Sequence, residues 1–135
     1  MRAVLQLLNH NSSMKFLKIF YGVFALIFAL FAYWQFNDPD PELWVPIYGV
    51  AIIFCLLAVR GIFPKFPLTL VVIACLAGSL FYWPESVGGW ISQEIEQGDL
   101  TMKTHEMEIG RESFGLLIIA LSMVPALIKS WRNVA

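Results

Sequence analysis

Charge is scarce in this chain. Of its 135 residues only 14% are Asp, Glu, Lys or Arg, against about a quarter in a soluble domain. That shortage excludes a water-solvated surface over most of the chain. Histidine and cysteine are scarcer still, at two each, and their spacing forms neither a zinc motif nor a disulfide framework. Cys55 and Cys75 lie inside apolar runs with no His or Cys neighbour. They read as small packing residues. No basic cluster suits nucleic acid, because the Lys and Arg residues are spread thinly. At this length there is no room for a separate soluble domain beside a membrane bundle.

What is abundant is hydrophobic sequence, 59% of the chain. It falls into four runs, 19–36, 43–59, 66–83 and 114–128. The first follows Lys15 and Lys18, as a secretory signal would, but ends in Tyr33-Trp34-Gln35-Phe36. A cleavage site needs small residues, so this run reads as an uncleaved helix. The fourth is short for a hydrocarbon core that takes roughly 20 residues. It lengthens backwards if Arg111 and Glu112 sit at the interface or inside the bundle. The expected helices are 16–36, 43–59, 66–83 and 108–128, in one membrane domain spanning 1–135. The expected fold class is all-α, an integral membrane four-helix bundle.

The charges are segregated. All ten acidic residues lie between the first two runs (Asp38, Asp40, Glu42) or between the last two (Glu85, Glu94, Glu96, Asp99, Glu106, Glu108, Glu112). Arg2, Lys15, Lys18, Arg60, Lys65, Lys129 and Arg132 occupy the other segments. Lys and Arg are retained on the cytoplasmic side. The expectation is four crossings of a plasma or bacterial inner membrane, with both termini cytoplasmic and acidic outer loops at 37–42 and 84–107. Trp34, Trp44, Trp83 and Trp90 flank the outer helix ends and suit a headgroup-level belt. Helix contacts in lipid favour small residues. Gly22, Ala25, Ala29 and Ala32 offer one such face, Ala74 and Gly78 a second, and Gly115, Ser122 and Ala126 a third. Pro125 is expected to kink the last helix. Ser79, Tyr48 and Ser122 are the expected interior polar groups.

The outer loops carry the chemistry. In Asn37-Asp38-Pro39-Asp40-Pro41-Glu42, Asp40 is placed to N-cap the second helix with Pro41 at its first position. Asp38 has no helix to cap. In the second loop, Glu108, Arg111, Glu112 and Gly115 share a helix side with Ser122 and Ala126, and His105 lies one turn earlier. Two readings stay open. Arg111 clamps Asp38 or Asp40 while pairing with Glu108 and Glu112, a structural staple. Alternatively, Asp38, His105, Glu108 and Glu112 converge on a divalent cation or a proton. The His-Glu-x-Glu stretch lacks the two-histidine spacing of a zinc helix. His10 sits in a polar tail and is assigned nothing. Trp90, Ile91 and Ile95 alternate with Gln93, Glu94 and Glu96 in what reads as a short surface helix ending near Gly98.

The string Gln35-Phe36-Asn37-Asp38-Pro39-Asp40, then Glu42-Leu43-Trp44, together with Glu108-x-x-Arg111-Glu112-x-x-Gly115-Leu116, resembles the transmembrane protein 220 family. The resemblance covers nearly the whole chain. It implies a small multi-pass membrane protein without an established activity, and points to Asn37, Asp38, Asp40, Trp44, Arg111 and Glu112. It transfers no catalytic residue and no cofactor. The function expected is a non-catalytic accessory or scaffold protein, with the bilayer and a membrane or extracytoplasmic protein as partners. The alternative is a cation- or proton-binding membrane protein using Asp38, Glu108 and Glu112.

Overall fold

The computed structural model describes residues 1–36, 40–98 and 105–132, the side chains at 10, 11, 105 and 106 excepted. Its described residues are helical throughout apart from turns: α1 (Arg2–Gln35), α2 (Pro41–Val59), α3 (Lys65–Phe81), α4 (Val87–Gln97) and α5 (His105–Arg132). Three are long and apolar enough to cross a bilayer: α1, α2 and residues 107–132 of α5. The fourth apolar helix, α3, has 17 residues. At about 1.5 Å per residue it is roughly 26 Å long, shorter than a hydrocarbon core of about 30 Å. The short member is therefore α3, not the last helix as the apolar runs suggested. α5 gains length at its start, because residues 105–112 continue the helix despite their charge.

Local chemistry sets the boundaries. α2 opens with Pro41 at its first position and Glu42 in its first turn, where a missing N–H and a negative charge cost least. It ends on Gly61 at φ 79. There the Gly61 N–H donates to the Ala58 carbonyl and the Ile62 N–H to the Leu57 carbonyl, the pair of bonds that defines a Schellman cap. α4 starts at Ser86, whose hydroxyl accepts from the Gly89 N–H at 2.9 Å. It stops at Gly98, φ 70. α1 begins at Arg2, well before the expected residue 16. Its first turns hold good helix formers, Ala3, Leu5, Gln6, Leu7 and Leu8.

The helices pack as two antiparallel pairs, α1 with α2 and α3 with α5. In the first pair Phe28 and Phe31 lie against Tyr48, with ring centroids 6.2 and 5.6 Å apart. In the second, the Ser113 hydroxyl donates to the Ser79 carbonyl at 2.8 Å, and Trp131 donates to the Thr69 hydroxyl at 3.2 Å. The buried face of α3 is Leu68, Val72, Cys75 and Ser79. Of the small pair expected there, Gly78 packs against Leu116 but Ala74 is exposed. Both cysteines are buried and unbridged.

Tyr21 and α5 make the tie between the pairs near the basic end. The Tyr21 hydroxyl donates to the Ser122 carbonyl at 2.7 Å and accepts from the Ala126 N–H at 2.8 Å. Those two groups would otherwise pair within the helix. Pro125 lies between them in sequence and its ring disfavours a straight ladder. The expected disturbance at Pro125 is thus relieved by a side chain inserted from another helix, a known way of satisfying freed backbone in lipid.

Candidate functional site

The antiparallel pairing brings the start of α2, the end of α3 and the start of α5 together, and with them Asp40, Glu108 and Glu112. Asp40 stands at the N-cap position of α2, yet its side chain makes no capping hydrogen bond. One oxygen each of Asp40, Glu108 and Glu112 lie within 4.8 Å of one another. Asp40 and Glu108 are half-buried. Glu112 is buried, 9% exposed. The three line a cleft of about 360 Å³ with Leu43, Tyr82 and Trp83. Sequence pattern placed Glu108 and Glu112 here. It assigned Asp40 a capping role, which the geometry does not bear out.

Trp44 anchors this cluster. Its indole N–H donates to Glu112 Oε1 at 3.1 Å. With 3% exposure it sits inside the bundle, not in the headgroup belt expected for it. Trp83, by contrast, is exposed. A buried carboxylate gives α2 a polar target, and the indole supplies the donor that burial demands. One turn on, the Tyr48 hydroxyl presses on Gly115, where any Cβ would collide with it. Gly115 is thus the small residue that lets α2 and α5 approach.

While the expected Asp38 lies outside the described residues, Arg111 holds a partner that was not among those expected. Its Nε and Nη2 fork onto Glu94 Oε1 and Oε2 at 2.7 and 2.8 Å, tying α4 to α5. Trp90 donates to the same carboxylate at 3.1 Å, stacks on Phe114 at 4.9 Å, and fills the space a side chain at Gly110 would need. The expected surface helix therefore exists and is docked. Sequence reading took Glu94 for an exposed residue. Its i, i+4 spacing from Trp90 was the available signal. Tyr21, Ser113 and Gly110 were also missed, since a lone polar or small residue in an apolar helix has no periodic signature.

Of the remaining candidates, Asn37 and Asp38 lie outside the described residues. His105 opens α5, but its side chain also lies outside them. Ser79, Tyr48 and Ser122 are buried as expected.

Chemically, converging carboxylates repel, and a proton, a cation or a basic or N–H donor beside them relieves that repulsion; Trp44 is one such donor. An all-oxygen donor set suits hard cations such as magnesium, calcium or manganese.

The family model described as transmembrane family 220, helix, matches residues 27–128. The chain belongs to that family, and it is an integral membrane protein with apolar helices. No solved structure matches it.

Proposed function

We propose that this member of transmembrane family 220 crosses the membrane four times, with both termini cytoplasmic, and binds a cation at its outer mouth through Asp40, Glu108 and Glu112. The convergence of three carboxylate oxygens within 4.8 Å, one of them on the buried Glu112, carries the cation reading. α3 completes the fourth crossing with local thinning of the bilayer, which costs fractions of a kcal/mol per Å of mismatch. Lys65 beside α3, and Lys129 and Arg132 in the last turn of α5, sit opposite the carboxylates and set the orientation.

The cation reading is tested by melting the detergent-solubilised protein with magnesium, calcium or manganese. By linkage, an ion at about 100 times its Kd stabilises by about 2.7 kcal/mol. A saturable rise in Tm is expected with one of the three. It disappears in Asp40→Asn and Glu112→Gln and persists in Glu96→Gln, an exposed residue outside the cluster. No rise at any pH from about 6 to 8, well above the ordinary carboxylate range, removes this reading. Orientation is tested separately. A reporter after Ala135 reports cytoplasm, and Gln97→Cys is labelled from outside intact cells. Labelling only after lysis reverses the topology.

A second reading, a non-catalytic accessory or scaffold protein, is favoured by the exposed carboxylates of Glu42, Glu85 and Glu96, which offer a docking surface to a partner of opposite charge. Affinity capture that is lost when these three are neutralised, with the melting response to cations unchanged, separates it from the first.

A further inference from the structure

A second cavity lies across the Trp44–Tyr48 wall from the carboxylates. It opens between the acidic-end half of α1 and the facing half of α5. Phe31 and Trp34 line one side, Phe114 and Ile118 the other, Tyr48 the back and Arg111 the α4 end. Trp90 also borders it. Toward the opposite end, Tyr21 draws α1 onto α5.

We propose that this cleft is a lipid site, taking one acyl chain of a phospholipid of net negative charge with its headgroup phosphate at Arg111. Four observations carry it. The lining is aromatic and aliphatic apart from Arg111 and Gln35, the last residue of α1, the polarity of an amphiphile. Its volume is about 220 Å³, below the roughly 300–1,000 Å³ of pockets that enclose a whole drug-sized ligand. It suits a chain segment entering from a side. Ile118 on its rim is exposed, and in a membrane helix an exposed isoleucine faces lipid. Finally, the polar end holds a guanidinium, whose planar fork matches a phosphate as it matches the carboxylate of Glu94. Glu94 is then the group that the headgroup exchanges with, and α4 the element that marks headgroup level. The proposal rests on membrane insertion and is independent of the cation reading.

The test is native mass spectrometry of the full chain, purified in detergent with EDTA and offered equal phosphatidylglycerol and phosphatidylcholine. One phosphatidylglycerol retained per protein is expected, at roughly tenfold preference over phosphatidylcholine. Ile118→Trp, which fills the cleft from its rim, is expected to remove retention of both. Arg111→Gln is expected to keep one lipid and lose the preference. Glu94→Gln breaks the same ion pair but leaves the cation, and is expected to keep it. Each variant is first shown to be monodisperse with a cooperative melt. Full retention in Ile118→Trp overturns the proposal. So does equal loss of preference in Arg111→Gln and Glu94→Gln, which makes Arg111 a structural clamp only. Displacement of the lipid by millimolar inorganic phosphate overturns the acyl-chain assignment in favour of a free-phosphate site. Because EDTA is present throughout, failure here leaves the cation reading standing, and failure there leaves this one.

Discussion

The two ends of the bundle are held together by different chemistry. Toward the basic end, a neutral hydroxyl from Tyr21 enters the ladder of α5 beside Pro125, Lys65 lies 3.7 Å over the Trp131 ring, and small residues such as Ala120, Ala126 and Cys55 are buried. Toward the acidic end, the same helix pairs are spaced by Trp44 and Tyr48, and two clefts open on either side of that wall. One end is closed by fitting backbone groups to a single side chain. The other is kept open by bulky rings resting on a glycine and a carboxylate. The two clefts and the convergent carboxylates occur where packing is interrupted, and the other end is closed by direct contact between helices.

The contrast is most sharply broken at Gly115. A side chain there has no space beside the Tyr48 hydroxyl. Overpacking of this kind costs typically 1–3 kcal/mol. Gly115→Val is expected to lower the melting point in detergent by the largest margin of any single change considered, and Tyr48→Phe to restore part of it. If Gly115→Val melts like the parent, α2 and α5 are not in close contact and the wall between the clefts does not exist.

Trp44→Phe comes next. It removes the donor to Glu112, and hydrogen bonds to charged groups contribute about 1.5–3 kcal/mol. Loss of stability in Trp44→Phe is expected to be largely absent in a Glu112→Leu background, which has no acceptor and which a double-mutant cycle measures. An unchanged effect in that background means Trp44 acts through packing alone.

At the closed end, Tyr21→Phe keeps the ring and deletes the bridge between Ser122 and Ala126. Hydrogen bonds between helices in lipid average about 0.6 kcal/mol, with values up to about 1.7, and an effect in the upper part of that range is expected. Pro125→Ala, which lets α5 form its own ladder, is expected to make Tyr21→Phe nearly neutral. Equal costs in both backgrounds argue that the hydroxyl does not serve the proline break.

The smallest effect is expected at Arg111. Its side chain and that of Glu94 are 19% and 23% exposed, so water screens the pair. A value of about 1 kcal/mol or less is expected, well under the 3–5 kcal/mol for breaking a fully buried pair. Arg111→Lys recovers it only partly because lysine lacks the fork. Proteolysis within α4 is the direct readout. Unaltered cleavage in Arg111→Ala means α4 is held by Trp90 and Phe114 without help from the fork.

Much of this arrangement follows from the chain alone. Apolar runs bounded by Lys, Arg, Trp and Pro are long enough that helices are the only way to satisfy their backbone in lipid. The segregation of Asp and Glu from Lys and Arg along the chain already groups Asp40, Glu108 and Glu112 at the same end of their helices. Helical spacing turns Glu108 and Glu112 toward the same side as Gly115 and Ser122. These are local or one-dimensional properties, so sequence expresses them directly. Partner choice is not of that kind. Whether Arg111 forks onto Asp40 or Glu94, whether Trp44 faces headgroups or a buried Glu112, and whether Asp40 caps its own helix or joins a carboxylate cluster depend on which surfaces two helix pairs present to each other. Several partners lay within reach of each side chain, with similar chemistry and comparable energies. The reach of Trp44 and Tyr48 from α2 to Glu112 and Gly115 of α5, and the docking of α4 on α5 through Trp90 and Glu94, selected among them.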